Sequence, residues 1–159
     1  MIVLVCGGRT FNDRELLFGA LDDLHRKMRL TEIIHGDTGG ADALAGRWAR
    51  GRGIYERVFK ADWEKYGKSA GVIRNDRMLQ NGRPALVVAF PGDRATADLV
   101  ARTRKAGVPL MEVPPRAGHT AEENAGSRAS AAQKTTSDVG VVTPRSVSRP
   151  PLRRRPPEK

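Results

Sequence analysis

Short apolar runs alternate with amphipathic segments over residues 1–113, and this alternation constrains the fold more than any other feature of the sequence. The predicted strands lie at residues 2–6, 31–35, 54–59, 84–90 and 108–113; the first is continuously apolar, and the third alternates between apolar and polar residues. Segments with helical periodicity lie between them, at residues 12–28, 41–53, 69–82 and 96–107. Strands that alternate with helices form a parallel sheet that is covered on both faces. The pattern therefore predicts an α/β fold, a Rossmann-like doubly wound parallel sheet of about five strands with right-handed crossovers.

The predicted helices carry recognisable start and stop signals. Asn12 with Glu15 three residues later predicts a capping box at the start of the first helix. Ser69 is the candidate N-cap of the third helix, and Gly82 is its predicted stop. Residues 60–68, between the third strand and the third helix, are predicted to form a loop.

The composition changes after residue 113. Residues 114–159 are rich in Pro, Ser, Ala and Arg and contain no aromatic residue. Such a segment buries too little apolar area to offset the entropy of ordering it. The sequence therefore predicts one folded domain, residues 1–113, followed by a disordered tail, residues 114–159. The formal net charge of +10 divides evenly between them, +5 in each part, so the predicted domain is not unusually basic.

Several classes of protein are disfavoured by simple counts. The single cysteine allows no intrachain disulfide, which favours a reducing compartment. The apolar run at residues 2–6 is too short for a signal peptide, and no run approaches the roughly 20 residues of a membrane span. A cytoplasmic protein without membrane contact is therefore expected. The three histidines lie far apart in the sequence, so no metal site and no cofactor are predicted.

Glycine-containing turns follow three of the predicted strands. They read Gly7-Gly8-Arg9-Thr10, Gly36-Asp37-Thr38-Gly39-Gly40 and Pro91-Gly92-Asp93-Arg94-Ala95-Thr96. The carboxyl ends of parallel strands meet at one edge of the sheet, where ligands bind and where helix N-termini attract phosphate. The turns predict a phosphate-containing ligand at this edge, although glycine also serves turn geometry alone. The P-loop and dinucleotide-binding motifs are absent, which argues against an ordinary P-loop NTPase or dehydrogenase.

Four segments together resemble a known family. They are CGGRTFND, HGDTGGADALAGRWA, FKADWEKYGKSAGVIRNDRML and FPGDRATADLVARTRKAGVPLMEV. Their order and spacing resemble the YspA-like, cpYpsA-related group of the SLOG superfamily, which also contains the LONELY GUY phosphoribohydrolases and the Rossmann domain of DprA. The resemblance covers residues 1–113 and implies a domain that binds nucleotides or nucleotide-derived ligands. Relatives often form dimers, so the resemblance also implies a homodimer.

The resemblance implies a set of ligand-binding residues along the rim of the sheet. Arg9 would pair with phosphate, and Asp42 would either accept hydrogen bonds from the ligand or only stabilise its helix. Trp63 would either stack on a base or fill the space under a loop, and Arg74 with Asn75 resembles an arginine motif of the phosphoribohydrolases. The implied ligand-binding residues are Gly7, Gly8, Arg9, Thr10, Gly36, Thr38, Gly39, Gly40, Asp42, Asp62, Trp63, Lys68, Arg74, Asn75, Gly92, Arg94 and Thr96.

The chain departs from the family pattern in its fourth segment. The family usually has P-G-G-x-G-T where this chain has Asp93 and Ala95 in place of two glycines. Asp93 is expected to repel a phosphate at that helix start, and Ala95 to resist a positive φ. Leu99 stands where the phosphoribohydrolases carry a catalytic Glu, and Asp98 is one residue away. The activity of those enzymes is therefore not transferred to this chain.

Three hypotheses of function follow. The first is a module that binds or senses a nucleotide, a nucleotide sugar, an ADP-ribose-like molecule or a signalling nucleotide. The second is a hydrolase that cleaves an N-glycosidic bond of a nucleotide, with Asp42, Asp62 and Asp98 as candidate carboxylates. The third is DprA-like binding of single-stranded nucleic acid, helped by weak contacts from the arginine-rich tail.

Overall fold

The computed structural model describes residues 1–117, which form a five-stranded parallel sheet with helices on both faces. The strands are β1 Ile2–Cys6, β2 Glu32–His35, β3 Tyr55–Val58, β4 Leu86–Ala89 and β5 Leu110–Glu112. The helices are α1 Arg14–Met28, α2 Gly40–Gly51, α3 Trp63–Tyr66, α4 Ala70–Gln80 and α5 Arg94–Lys105, with a 3-10 turn at Gly67–Ser69. The predicted Rossmann-like parallel sheet is confirmed.

The strand order is β3-β2-β1-β4-β5, so the chain moves outward in both directions from β1. Ile2 on β1 lies opposite Glu32 on β2, and Val3 lies opposite Leu86 on β4. The order of the strands therefore reverses between β1 and β4. Loops that leave the carboxyl ends of two such strands diverge and open a crevice at that edge of the sheet.

The core consists of two layers, one on each face of the sheet. Val3 and Val5 belong to the layer that α1 and α2 cover, and Leu4 and Cys6 belong to the layer that α4 and α5 cover. The largest side chains that the helices add to these layers are Leu17, Leu21, Trp48, Met78 and Leu99. Because β1 is buried on both faces, its sequence is a continuous apolar run rather than an alternating one.

One predicted helix cap is wrong by one residue, and a second lies at the predicted position. The N-cap of α1 is Asp13 rather than Asn12, and the Asp13 Oδ1 accepts a hydrogen bond from the Leu16 N–H at 2.9 Å. Both residue types cap helices well, so the sequence alone places such a cap only to within a residue. Ser69 is the N-cap residue of α4, as predicted, but its side chain makes no capping hydrogen bond. The 3-10 turn leads directly into this helix.

Residues 60–68 are not the loop that the sequence predicts. They contain α3 and most of the 3-10 turn, and Asp62 caps α3 by accepting a hydrogen bond from the Lys65 N–H at 3.0 Å. Gly67 ends α3 with a φ of 51°. A helix of four residues is too short to show a hydrophobic period, so the pattern gave no signal for it.

The described chain continues a few residues beyond β5 and contacts the start of α1. The Arg116 Nη1 donates to the Glu15 Oε2 at 3.0 Å, and the Arg116 Nε lies 3.4 Å from the Asp13 Oδ2. Both contacts are exposed or half-buried, and ion pairs of this kind add little to stability. The remainder of the predicted tail, residues 118–159, lies outside the described residues.

Candidate functional site

A cleft of about 340 Å³ opens at the carboxyl ends of β1, β2 and β3. Its lining residues are Arg9, Gly36, Asp37, Thr38, Lys60, Ala61, Trp63 and Arg74. Three strand-end loops, the first residue of α3 and one residue of α4 thus contribute to a single concave surface. This is the edge at which sheets of this architecture bind ligands, and the volume lies within the range of small-molecule sites.

The charged side chains of the cleft are mostly cationic. Arg9, Lys60 and Arg74 line it together with one carboxylate, that of Asp37. The Lys60 Nζ lies 3.6 Å from the Asp37 Oδ2, and both groups are exposed. Arg9 is exposed and makes no hydrogen bond or ion pair to any residue in 1–117. The excess of positive charge in a concave surface favours an anionic ligand.

Arg74 is the most unusual of these cations because it is only 7% exposed. Its Nη1 donates to the Gly36 carbonyl at 3.3 Å and its Nη2 to the Asn75 Oδ1 at 3.1 Å, both neutral acceptors. Its Nε is buried and has no hydrogen-bond partner among the described residues. Burial lowers the pKa of Arg74, an effect that the negative charge of Asp42 opposes. A buried guanidinium with an unused donor is costly unless an anion completes it.

Gly36 makes room for this guanidinium. A Cβ at Gly36 would lie 2.9 Å from both the Cζ and the Nε of Arg74, closer than real side chains approach. The absence of a side chain therefore allows the guanidinium to lie against the backbone after β2. The structure shows that Gly36 leaves space for the Arg74 guanidinium. The predicted contact of Gly36 with a ligand stays a prediction.

Asp42, in the first turn of α2, holds the loop after β2 in place. Its Oδ2 accepts hydrogen bonds from the Gly36 N–H at 3.1 Å, the Thr38 N–H at 3.1 Å and the Thr38 hydroxyl at 2.7 Å. The side chain is buried, with 4% of the residue exposed. The sequence predicted that Asp42 either contacts the ligand or stabilises its helix. The structure shows a third role, because the carboxylate orders a wall of the cleft. Its part in ligand contact stays a prediction.

Other glycines of the rim lie where backbones approach one another. The Gly8 N–H donates to the Pro91 carbonyl at 3.0 Å, and the Ala41 N–H donates to the Gly8 carbonyl at 3.2 Å. A Cβ at Gly7 would lie 2.6 Å from the Ala41 Cβ, and one at Gly40 would lie 2.0 Å from the Gly8 carbonyl oxygen. These glycines therefore let the loop after β1 pack against both the loop after β4 and the start of α2. This packing explains the glycines without a ligand.

Asp93 occupies the N-terminus of α5. Its Oδ1 accepts hydrogen bonds from the Ala95 N–H at 3.0 Å and the Thr96 N–H at 3.4 Å. These are the donors that a phosphate at this helix start would use, so the carboxylate takes the place of the anion. Ala95 lies in the first turn of α5 and does not have a positive φ, so its methyl group causes no strain.

Replacing Asp93 with alanine is expected to lower the free energy of unfolding by about 1 kcal/mol, because two N–H groups of α5 lose their acceptor. Urea unfolding measures the change. Asp23 is the matched control, because it is exposed on α1 and its one ion-pair partner within residues 1–117 is the exposed Arg26. Asp23→Ala is expected to change the stability by less than about 0.5 kcal/mol. Equal effects of the two substitutions would contradict the capping role of Asp93.

The position of the hydrolase carboxylate is apolar in this chain. Leu99 is 2% exposed and belongs to the core layer that contains Met78. The neighbouring Asp98 links α5 to α4, because its Oδ2 accepts from the Asn75 Nδ2 at 3.1 Å and from the Arg102 Nε at 2.8 Å. Burial acts to raise the pKa of Asp98, but the hydrogen bonds from Arg102 and Asn75 outweigh it and lower this pKa. Asp98 is therefore an ionised structural group.

The structure brings together only part of the predicted ligand-binding set. The predicted residues that line the cleft are Arg9, Gly36, Thr38, Trp63 and Arg74. Those that line only an adjoining space of about 20 Å³ are Gly7, Asp42, Asn75 and Thr96. Those that line neither space are Gly8, Thr10, Gly39, Gly40, Asp62, Lys68, Gly92 and Arg94.

Sequence reasoning missed three cleft residues. Asp37, Lys60 and Ala61 line the cleft, and none of them was among the predicted site residues. The signal that could have found them is their place directly after β2 and β3, at the edge that the glycine turns already indicated. Asp37 also has a φ of 57°, which is uncommon for a residue other than glycine.

Residues 1–117 offer no alternative centre of metal or thiol chemistry. No group of three or more His, Cys, Asp or Glu side chains in this part of the chain could hold a metal ion. Burial raises the pKa of the Cys6 thiol to about 12, so it stays protonated and unreactive at neutral pH. No helix within the same residues is both long and apolar enough to cross a membrane.

Two comparisons with known proteins agree with the resemblance seen in the motifs. Residues 1–66 match the model of the YAcAr family, described as the YspA, cpYpsA-related SLOG family, and this range includes the loops after β1, β2 and β3. The Gene 61 protein of Mycobacterium phage D29 is 38% identical over 117 residues, which cover 69% of this chain and 93% of the phage protein. The chain therefore belongs to the YspA, cpYpsA-related SLOG family.

Proposed function

We propose that the protein binds a nucleotide or nucleotide-derived ligand in the cleft and holds a phosphate of that ligand with Arg9 and Arg74. The buried guanidinium of Arg74, with its unpartnered Nε, is the observation that carries the proposal. A phosphate oxygen would supply the missing acceptor together with a negative charge in direct contact with the guanidinium. Guanidinium groups suit this role because their planar donors match the geometry of phosphate.

The surroundings of Arg74 support the same ligand class. Arg9 adds a second guanidinium that has no competing partner in residues 1–117, and Lys60 adds a third cation. The backbone after β2, which Asp42 holds, forms the neighbouring wall. Membership of the SLOG family supports a nucleotide-related role, either binding or processing.

We propose binding rather than hydrolysis. The position at which related hydrolases carry a Glu holds the buried Leu99, and Asp98 is engaged by Asn75 and Arg102. A carboxylate that stabilises an oxocarbenium-like transition state must face the bond that breaks. Binding of single-stranded nucleic acid was predicted from the DprA-like resemblance and the basic tail, of which residues 118–159 lie outside the described residues. No observation in residues 1–117 favours it over a small ligand.

The proposal is tested by thermal unfolding of the full chain with a panel of nucleotides, ADP-ribose, nucleotide sugars and cyclic dinucleotides. A ligand at 100 times its dissociation constant adds about 2.7 kcal/mol, which raises Tm by several degrees in a domain of this size. Arg9→Ala is expected to weaken binding of any stabilising ligand by about tenfold or more, because a charge-assisted hydrogen bond is lost.

Arg47→Ala is the matched control, because Arg47 is exposed on α2 and does not line the cleft. It is expected to leave the ligand-induced shift in Tm unchanged. Equal shifts in the wild type, Arg9→Ala and Arg47→Ala would show that the ligand binds elsewhere. The absence of any shift across the panel would contradict the proposed function.

A further inference from the structure

Trp63 is an aromatic side chain that the fold leaves open to solvent on the wall of the cleft. It is 53% exposed, whereas Trp48, the other tryptophan, is 1% exposed in the core. Trp63 lines the cleft beside Lys60 and Ala61. The interpretation of Trp63 as a side chain that fills space under a loop is therefore wrong, since a filler of that kind would be buried.

The backbone of Trp63 is held at the start of a capped helix. Trp63 is the first residue of α3, whose N-terminus Asp62 caps, and the Gly67 N–H donates to the Trp63 carbonyl. The Cη2 of the ring faces Gly71 of α4, where an added Cβ would lie 3.7 Å from it. The indole thus projects from the start of a capped short helix and presents an exposed apolar plane beside the cationic groups.

We propose that Trp63 is the platform on which the base of the ligand stacks, so that the cleft takes a single nucleotide and discriminates it from a sugar phosphate. This inference rests on the proposed function, because the phosphate at Arg9 and Arg74 brings the rest of the ligand into the cleft. The volume of about 340 Å³ is at the small end of ligand sites, which suits one nucleotide rather than two.

Base stacking explains why guanidinium groups and an exposed indole line the same cleft, which binding of a simple anion does not explain. A simple anion needs only the guanidinium groups, whereas an exposed indole in the same concavity adds a surface for a flat apolar group. Every nucleobase has a π-face, and stacking of a base on an aromatic side chain strengthens binding by roughly five- to 150-fold. Such a platform distinguishes ligands that carry a base from ligands that share only the phosphate and the sugar.

The test compares the four common nucleoside 5′-monophosphates with ribose 5-phosphate, by calorimetric titration of the full chain. Ribose 5-phosphate keeps the phosphate and the sugar but lacks the base. The best nucleoside monophosphate is expected to bind the wild type about fivefold or more tightly than ribose 5-phosphate. Trp63→Leu is expected to remove this difference while leaving the affinity for ribose 5-phosphate unchanged, and Trp63→Phe to retain part of it.

Tryptophan fluorescence gives a second readout, because Trp63 is exposed and Trp48 is not. The nucleoside monophosphate is expected to quench the wild type and not Trp63→Leu, whereas ribose 5-phosphate quenches neither. A preference for the base that survives in Trp63→Leu would overturn the inference and leave the proposed function standing. Equal binding of all five ligands to the wild type would also overturn the inference and leave the proposed function standing. Failure of all five to bind would overturn the inference, and the proposed function would fall with it only if ADP-ribose, the nucleotide sugars and the cyclic dinucleotides of the thermal panel also failed to bind.

Discussion

Replacing Gly40 with alanine is expected to lower the free energy of unfolding by about 3 kcal/mol. A Cβ at this position would lie 2.0 Å from the Gly8 carbonyl oxygen and 2.6 Å from the Arg9 carbonyl carbon. The backbone there also has a φ of 49°, which an L side chain adopts only with strain. The clashing atoms belong to a backbone that the Gly8 N–H ties to the Pro91 carbonyl in the loop after β4, so they cannot move away cheaply. Urea unfolding measures the loss.

Gly19→Ala is the matched control for this substitution. Gly19 lies in the middle of α1, and a Cβ there would meet nothing within 4 Å. Alanine is the better helix former, so this substitution is expected to raise the stability by about 0.5–1 kcal/mol. The same substitution, glycine to alanine, is thus expected to lower the free energy of unfolding at position 40 and to raise it at position 19. A loss below about 1 kcal/mol for Gly40→Ala would show that the packing of α2 on the loop after β1 is looser than described.

Asp42→Ala is expected to cost about 3 kcal/mol, because it leaves two backbone N–H groups and a hydroxyl without their acceptor. It also removes the negative charge that favours the charged form of the buried Arg74. The loop from Gly36 to Thr38 should then lose its fixed conformation, and ligand binding in the cleft should weaken as well. Urea unfolding and the thermal-shift assay measure the two effects separately.

Two further variants separate the contributions of Asp42. Thr38→Val removes only the hydroxyl donor and is expected to cost about 1 kcal/mol. Asp42→Asn keeps one acceptor oxygen but loses the charge, so its cost should lie between those of Thr38→Val and Asp42→Ala. A cost for Asp42→Ala no larger than that of Thr38→Val would mean that the carboxylate does not order the loop.

The periodicity of the sequence predicted the order and type of the main elements because each type of burial leaves its own pattern. β1 is buried on both faces and is continuously apolar, and α1 is buried on one face and repeats with the helical period. The alternation of strand patterns with helix patterns along the chain then predicts the parallel sheet. The errors fell where the chain carries no such pattern, in the four-residue α3 and in the choice between Asn12 and Asp13 as a cap.

The edge of the sheet that carries the cleft was also predictable, since turns after parallel strands share one edge. Arg9 and Thr38 could be placed there from strand ends alone. Arg74 could not be placed there from strand ends, and only the family resemblance indicated it. It lies on a helix, 38 residues beyond its hydrogen-bond partner Gly36. Its contact depends on how α4 crosses the sheet, and no local pattern in the sequence encodes that crossing. Asp37 and Lys60 carried no signal beyond their place in loops.

By itself, the sequence determined the class of fold, the edge of the sheet that carries the cleft and the presence of glycine and arginine at that edge. Only the tertiary structure decided what those residues do. A glycine reads the same in the sequence whether a phosphate or another backbone occupies the space of its missing side chain. At Gly40 that neighbour is the backbone of Gly8, and at Gly36 it is the guanidinium of Arg74. Likewise, the sequence predicted that the charge of Asp93 repels an anion. In the structure, the Asp93 carboxylate itself occupies the place of an anion at the N-terminus of α5. The physical reason is that local patterns record burial and backbone preference, whereas function depends on which atoms distant segments bring into contact.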